Sequence, residues 1–232
     1  MHTTLITGAN RGIGLELAKQ YAADGWRVLA CCRHPEKADA LNELASRHPD
    51  TVQVHALDVT DLAQIDSLAG TLAGESIDLL MNNAGIYPDE DFKGFGHTDY
   101  VKWMLAFQVN TMAPLKMAEA FALQVARSER KIIATISSKM GSVDDNTSGG
   151  AYLYRSSKCA ANMIMKSLSL DLREHGITAV AFNPGWVLTD MGGPNAMLPV
   201  EQSVNGLRKV IARLTQTDSG KFLNYDGVEI AW

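Results

Sequence analysis

Cysteine, clustered basic residues and long apolar runs are what this sequence has least of, and each shortage excludes a class of protein. The three cysteines are Cys31, Cys32 and Cys159. The first two are neighbours in a strand-like run, where successive side chains point to opposite faces, so an ordinary bridge between them is excluded. No CxxC pair occurs and the six histidines show no ligand spacing, so neither a structural metal nor a disulfide framework is expected. No stretch approaches the roughly 18 apolar residues of a membrane helix. The opening MHTTLITGAN has no charged start followed by an apolar core, so no secretory leader is expected. Lysine and arginine number 21 against 26 acidic residues, and they are scattered. The resulting net charge of −5 carries no nucleic-acid footprint. These shortages predict a cytoplasmic protein with neither a membrane nor a nucleic acid as partner.

What is present is ordinary globular material, 46% hydrophobic and 20% charged, arranged in a repeating order. Short β-rich runs at 3–7, 27–32, 52–57, 77–82, 131–137, 177–183 and 221–223 alternate with helical patterns. In the segment 13–24, Ile13, Leu17, Ala18 and Tyr21 share one face, and Gly25 stands where a helix C′ residue belongs. Pro35 is expected to open a second helix buried through Ala38, Leu41, Leu44 and Ala45. Thr60 and Asp61 are cap candidates for a third, packed through Leu62, Ile65, Leu68 and Leu72. Alternation of this kind implies right-handed crossovers and a parallel sheet covered by helices on both faces. No linker or repeat divides the chain, so residues 1–232 read as one domain.

The first strand runs into Thr7-Gly8-Ala9-Asn10-Arg11-Gly12-Ile13-Gly14 and a helix starts at once. Glycines at such a junction let the backbone approach a pyrophosphate, and the helix start offers that anion free N–H groups and a positive dipole end. Together with the alternation, this turn predicts a Rossmann-type, doubly wound α/β sheet of about seven strands that is expected to bind a dinucleotide. An acid ending the second strand would bind a ribose 2′-hydroxyl and so mark NAD. Here that strand ends Cys31-Cys32-Arg33. Arg33 and Arg11 instead suit a 2′-phosphate, which predicts NADP(H).

Five further motifs follow: Asn82-Asn83-Ala84-Gly85, Asn110, Ile136-Ser137-Ser138, Tyr154 with Lys158, and Asn183-Pro184-Gly185. In this order, and over essentially the whole chain, they resemble the short-chain dehydrogenase/reductase family. The strings YRSSK, WVLTDMGG and FLNYDGVEIAW look most like its C-factor and sniffer-like carbonyl reductase branch. The resemblance implies an oxidoreductase that moves a hydride between NADP(H) and a carbonyl or alcohol substrate. It implies that Ser138, Tyr154, Lys158 and Asn110 are catalytic, with Asn110 helping to hold a water linked to Lys158. It also places Gly8, Asn10, Arg11, Gly12, Ile13, Gly14, Arg33, Asp58, Val59, Asn83, Ala84, Gly85, Tyr154, Lys158, Pro184, Gly185, Val187 and Thr189 against the cofactor. Asp58 would meet the adenine, and Thr189 the nicotinamide carboxamide.

The chemistry of these residues agrees with that assignment. Tyr154 and Lys158 are four apart and project from one helix face. A free tyrosine has a pKa near about 10, and a lysine one turn away is expected to favour its phenolate. Such a tyrosine protonates a forming alkoxide or takes an alcohol proton, and Ser138 would hold the substrate oxygen. Two neighbours compete for these roles. Tyr152 has Ser156, not a lysine, four residues on, and the resemblance places the serine in an SxxG pattern, which Ser138 and Gly141 satisfy. Strand alternation lets only one of the two serines face the substrate.

The loops 87–96, 142–150 and 191–199 are expected to border the substrate. Trp186, Met191 and Met197 fit either a pocket wall or the core. The long helical segments 101–127 and 151–175 suggest a homodimer or homotetramer, as the resemblance implies. A second reading is a dinucleotide-binding signalling protein with little turnover. A third, dehydration or epimerisation, lacks the room for a substrate domain.

Overall fold

The computed structural model describes residues 1–89 and 94–232. Strands β1 (Thr3–Thr7), β2 (Arg27–Cys32), β3 (Val52–Ala56), β4 (Leu79–Asn82), β5 (Ile132–Ile136), β6 (Thr178–Asn183) and β7 (Phe222–Asn224) form one parallel sheet in the order β3-β2-β1-β4-β5-β6-β7. Each lies within two residues of its predicted span at either end. The short runs of apolar and β-branched residues read clearly because a parallel sheet is buried on both faces.

Alternation sends Ile6, Val28 and Phe182 to one face and Leu5, Leu29 and Ala181 to the other. The first face is covered by α1 (Gly12–Ala23), α2 (Asp39–Arg47) and α7 (Val200–Arg213), through Leu17, Leu41 and Val204. The second is covered by α3 (Leu62–Thr71), α5 (Ala113–Ala126) and α6 (Tyr152–Asp171), through Ile65, Phe121 and Met165. Cys31 and Cys32 are free and fall into opposite cores, as adjacent strand residues must.

Three helix expectations are corrected, and the choice between two cap candidates is decided. Pro35 opens only a 3-10 turn, Pro35–Lys37, and α2 starts at Asp39 after Ala38 breaks the helical geometry. Leu62 is 44% exposed, as the first residue of α3, whose side chain leans back past the helix start. Asp61, not Thr60, caps α3, accepting from the N–H groups of Ala63 and Gln64. The segment 101–127 is not one regular helix: α4 (Tyr100–Phe107) joins α5 through a π-turn, Gln108–Met112, that carries Asn110. No helix among the described residues is long and apolar enough to cross a membrane.

Chain order reverses between β1 and β4. The carboxyl ends of two adjacent strands therefore diverge into loops of opposite direction, which opens a crevice there. The glycine-rich turn and the Asn83 turn flank that crevice.

Candidate active site

The β1–α1 turn is built for close approach. A Cβ on Gly14 would lie 2.2 Å from the Gly8 carbonyl oxygen, so only glycine lets the helix start pass over the turn. Asn83 locks this arrangement from β4: its side-chain amide donates to Thr7 O at 2.9 Å and Gly8 O at 3.1 Å. The Thr7 hydroxyl in turn accepts from the N–H groups of Asn83 and Ala84. Asn83 thus shapes the turn with its side chain. No side chain caps the start of α1 at Arg11, which leaves its N–H groups and positive dipole end for an anion. A dinucleotide pyrophosphate fits this cradle.

Asp58, two residues beyond β3, is half-buried. Burial raises its carboxyl, but the Thr60 N–H and hydroxyl bonds, with Arg33 and His34 nearby, hold it below the usual range. Val59 is buried behind it. Arg33 and Arg11 are both exposed. Arg11 pairs with Asp190 at 2.7 Å, and Thr189 lies over Gly12. The segment after Pro184-Gly185 therefore crosses the crevice, with Val187 turned inward and 4% exposed.

The reactive centre forms where β5 ends against α6. Gly141 is the hinge of this contact, since a Cβ there would lie 2.8 Å from Lys158 main-chain carbon. The close approach carries Ser138 to a hydrogen bond with the Tyr154 hydroxyl. Ser137 points the other way, is 1% exposed, and bonds the Lys158 carbonyl. Tyr154 is buried, whereas Tyr152 is 42% exposed. Of the two neighbouring pairs, Ser138 and Tyr154 are the members that meet each other.

Lys158 is buried below Tyr154, its Nζ 5.8 Å from the tyrosine ring centroid and donating to Ile136 O at 2.8 Å. Burial pulls the lysine down to about 8. Burial also pushes the Tyr154 phenol up to about 12, with Ser138 offsetting part and Tyr87 adding to it. The direction is opposite to that expected from a lysine one turn away. In this desolvated position the phenolate loses more hydration than the neighbouring charge returns. The phenol is therefore an acid that stays protonated at neutral pH.

Asn110 is fully buried on the π-turn, a local widening that often marks functional positions. Its Oδ1 accepts from Ile86 N–H at 2.9 Å, and its amide donates to Ile86 O and Ser157 Oγ, both at 3.0 Å. It ties the chain after β4 to α6.

Some contributors were missed from the sequence. Tyr87 packs on Tyr154, and Asp89 accepts from Tyr154 N–H. The loop 142–150 is strapped by the chain's last residues: Trp232 O accepts from Val143 and Asp144 N–H, and Ser142 Oγ donates to Ala231 O. Arg155 holds the same loop through Ser148 Oγ at 2.8 Å. Only the family-like string at the end hinted at this strap. Trp186, Met191 and Met197 are exposed, so the core alternative for them is set aside. In the loop 87–96, residues 90–93 lie outside those described.

A doubly wound sheet with a glycine cradle at its switch point and a half-buried serine beside a buried Tyr–Lys pair defines a nucleotide-dependent dehydrogenase. The short chain dehydrogenase family model matches residues 2–197, and the chain belongs to that family. It is 42% identical to the C-signal of Myxococcus xanthus over 67% of this chain and 93% of that protein. An NADPH-bound carbonyl reductase from chicken fatty liver superposes with a TM-score of 0.93 at 37% identity, covering 100% of this chain and 99% of that one. The carbonyl reductase Sniffer of D. melanogaster gives 0.94 at 34% identity over all of both chains.

Proposed function

We propose that this protein is an NADP(H)-dependent carbonyl reductase, written equally as an alcohol dehydrogenase, in which the whole chain acts as one dinucleotide-binding domain. The observation that carries this reading is the buried Tyr154 phenol, bonded to Ser138 and underlain by Lys158. The carbonyl reductase relatives support the substrate class. For the cofactor, the cradle at Gly8, Asn10, Gly12, Ile13 and Gly14 takes the pyrophosphate. Arg11 and Arg33 take the 2′-phosphate, and Asp58 and Val59 border the adenine. Ala84 and Gly85 with Pro184, Gly185, Val187 and Thr189 flank the nicotinamide half. The bound nicotinamide supplies or accepts the hydride.

The chain's own residues do the rest. Ser138 fixes the carbonyl oxygen, and Tyr154 delivers a proton to the alkoxide as it forms. Lys158 places a positive charge beside the developing phenolate and reaches the cofactor ribose, and Asn110 ties the segment after β4 to α6. Trp186, Met191 and Met197 offer apolar surface to the substrate's body.

The test is a panel of ketones, aldehydes and quinones scored by NADPH consumption. Turnover of at least one class is expected. Tight cofactor binding with no turnover across the panel would instead favour the signalling reading, which the C-signal relative brings forward. That reading leaves the Ser138–Tyr154–Lys158 cluster without a use.

The same reading includes self-association. On α4, Tyr100, Val101 and Met104 are exposed, and beside it on α6 so are Met163 and Leu170. A second copy of this face would cover them. Light scattering should give a mass of two or four times 25.2 kDa, and a monomer mass at working concentration would overturn this.

A further inference from the structure

The start of α6 has a defect that another part of the chain repairs. Its N-cap is Ala151, held in the left-handed region at φ 45°, a conformation unfavourable for a residue with a Cβ. Alanine has no side-chain oxygen, so the first N–H groups of the helix lack the usual local acceptor. The acceptor comes instead from Asp89, which is 9% exposed. Its Oδ2 accepts from Tyr154 N–H at 2.8 Å and its Oδ1 from Leu153 N–H at 3.4 Å.

The residue so gripped is the tyrosine that carries the proton. Its carbonyl is held as well, by the Ser157 hydroxyl at 2.9 Å, and Ser157 accepts from Asn110. Its ring packs against Tyr87, with centroids 4.7 Å apart and planes at 57°. Tyr87 and Asp89 flank Pro88 in one short segment, itself tied to Asn110 through Ile86. One strand of chain thus grips the main chain and the ring of Tyr154 together.

We propose that Asp89 is a positioning residue for the reaction, fixing the Tyr154 phenol against Ser138 by capping the helix at that tyrosine. The proposal rests on the reading of Tyr154 as the proton donor. It also has an electrostatic side. Tyr87 from the segment after β4 and Lys158 from α6 face this phenol, and Asp89 and Arg155 act on Tyr87 in turn. Asp89 sets a negative charge beside the helix start, where the dipole would otherwise favour phenolate.

The experiment compares Asp89→Ala, Asp89→Asn and Tyr154→Phe with the unaltered protein, on one accepted carbonyl substrate. The readouts are kcat, KM for NADPH, melting temperature and the pH profile of reduction. Asp89→Ala should lose about tenfold or more in kcat, since misplacing a reacting group is costly, while KM for NADPH holds. Its melting temperature should fall by about 2–4 °C with the lost cap. Asp89→Asn keeps an acceptor oxygen and should recover most of the rate. Its alkaline limb should move to lower pH, because removing the negative charge makes the phenolate easier to form.

An unchanged kcat and limb in both variants, with only the melting temperature moved, reduces Asp89 to a structural cap and overturns the proposal. Equal losses in both with the limb unmoved also overturn it. If Asp89→Ala does not fold, Asp89→Asn decides by its limb alone. Activity surviving in Tyr154→Phe would instead defeat the functional reading itself. An inert Tyr154→Phe beside an unimpaired Asp89→Ala defeats only this proposal.

Discussion

Replacing Tyr154 by phenylalanine should leave a folded protein that still binds NADPH and lowers carbonyl reduction by at least about 10²–10⁴-fold, the loss typical of a missing general acid. The ring packs against Tyr87 and the helix is otherwise unchanged, so only the hydroxyl is removed. Tyr152→Phe is the control: that side chain is 42% exposed, and its loss should be nearly silent. Lys158→Met should impair turnover and cofactor binding together, because in the proposed mechanism the lysine serves both the phenolate and the ribose. Steady-state kinetics on the three variants, after a check of folding, decides the matter. Retained activity in Tyr154→Phe with loss in Tyr152→Phe would mean the wrong face of α6 had been assigned. The unaltered protein also has an expected pH signature. With the phenol pushed up to about 12, reduction should stay level through neutral pH, since the acid form is present throughout. Alcohol oxidation needs the phenolate and should climb as pH rises toward that value.

NADPH should bind more tightly than NADH, and Arg11→Ala with Arg33→Ala should remove most of the difference. Two charge-assisted hydrogen bonds of about 1.5–3 kcal/mol each are at stake. The Arg11–Asp190 pair does not stand in the way. Its partners are 67% and 76% exposed, and such a pair contributes about 0–1 kcal/mol, so Arg11 can exchange it for a phosphate. Titration of both cofactors against the unaltered and doubly altered protein is the measurement, and equal affinity in the unaltered protein would end the assignment.

The fold was largely legible because its signals are local. A strand buried on both faces is a short apolar run wherever it lies, and Gly25 at φ 75° ends α1 for a reason internal to that helix. The glycine turn, Tyr154 with Lys158, and Ser138 with Gly141 were legible for the same reason: their spacings of a few residues survive folding intact. The errors were local too. A proline at a helix start also suits a 3-10 turn, which is what residues 35–37 adopt, and Leu62 matched the helical period at a position that stays largely open to solvent.

What the sequence by itself determined, then, is the order of strands and helices, the family and the candidate reactive groups, all set by periodicity and short spacing. The tertiary structure alone decided how those groups are held. Asp89 reaches Tyr154 across 65 residues, Ser142 reaches Ala231 across 89, and Arg11 reaches Asp190 across 179. It also decided the state of the phenol, which is set first by how much water the surrounding elements exclude. Such contacts arise only once the sheet order places β4 beside β1 and β5 beside β6, so that loops distant in the chain share one end of the sheet.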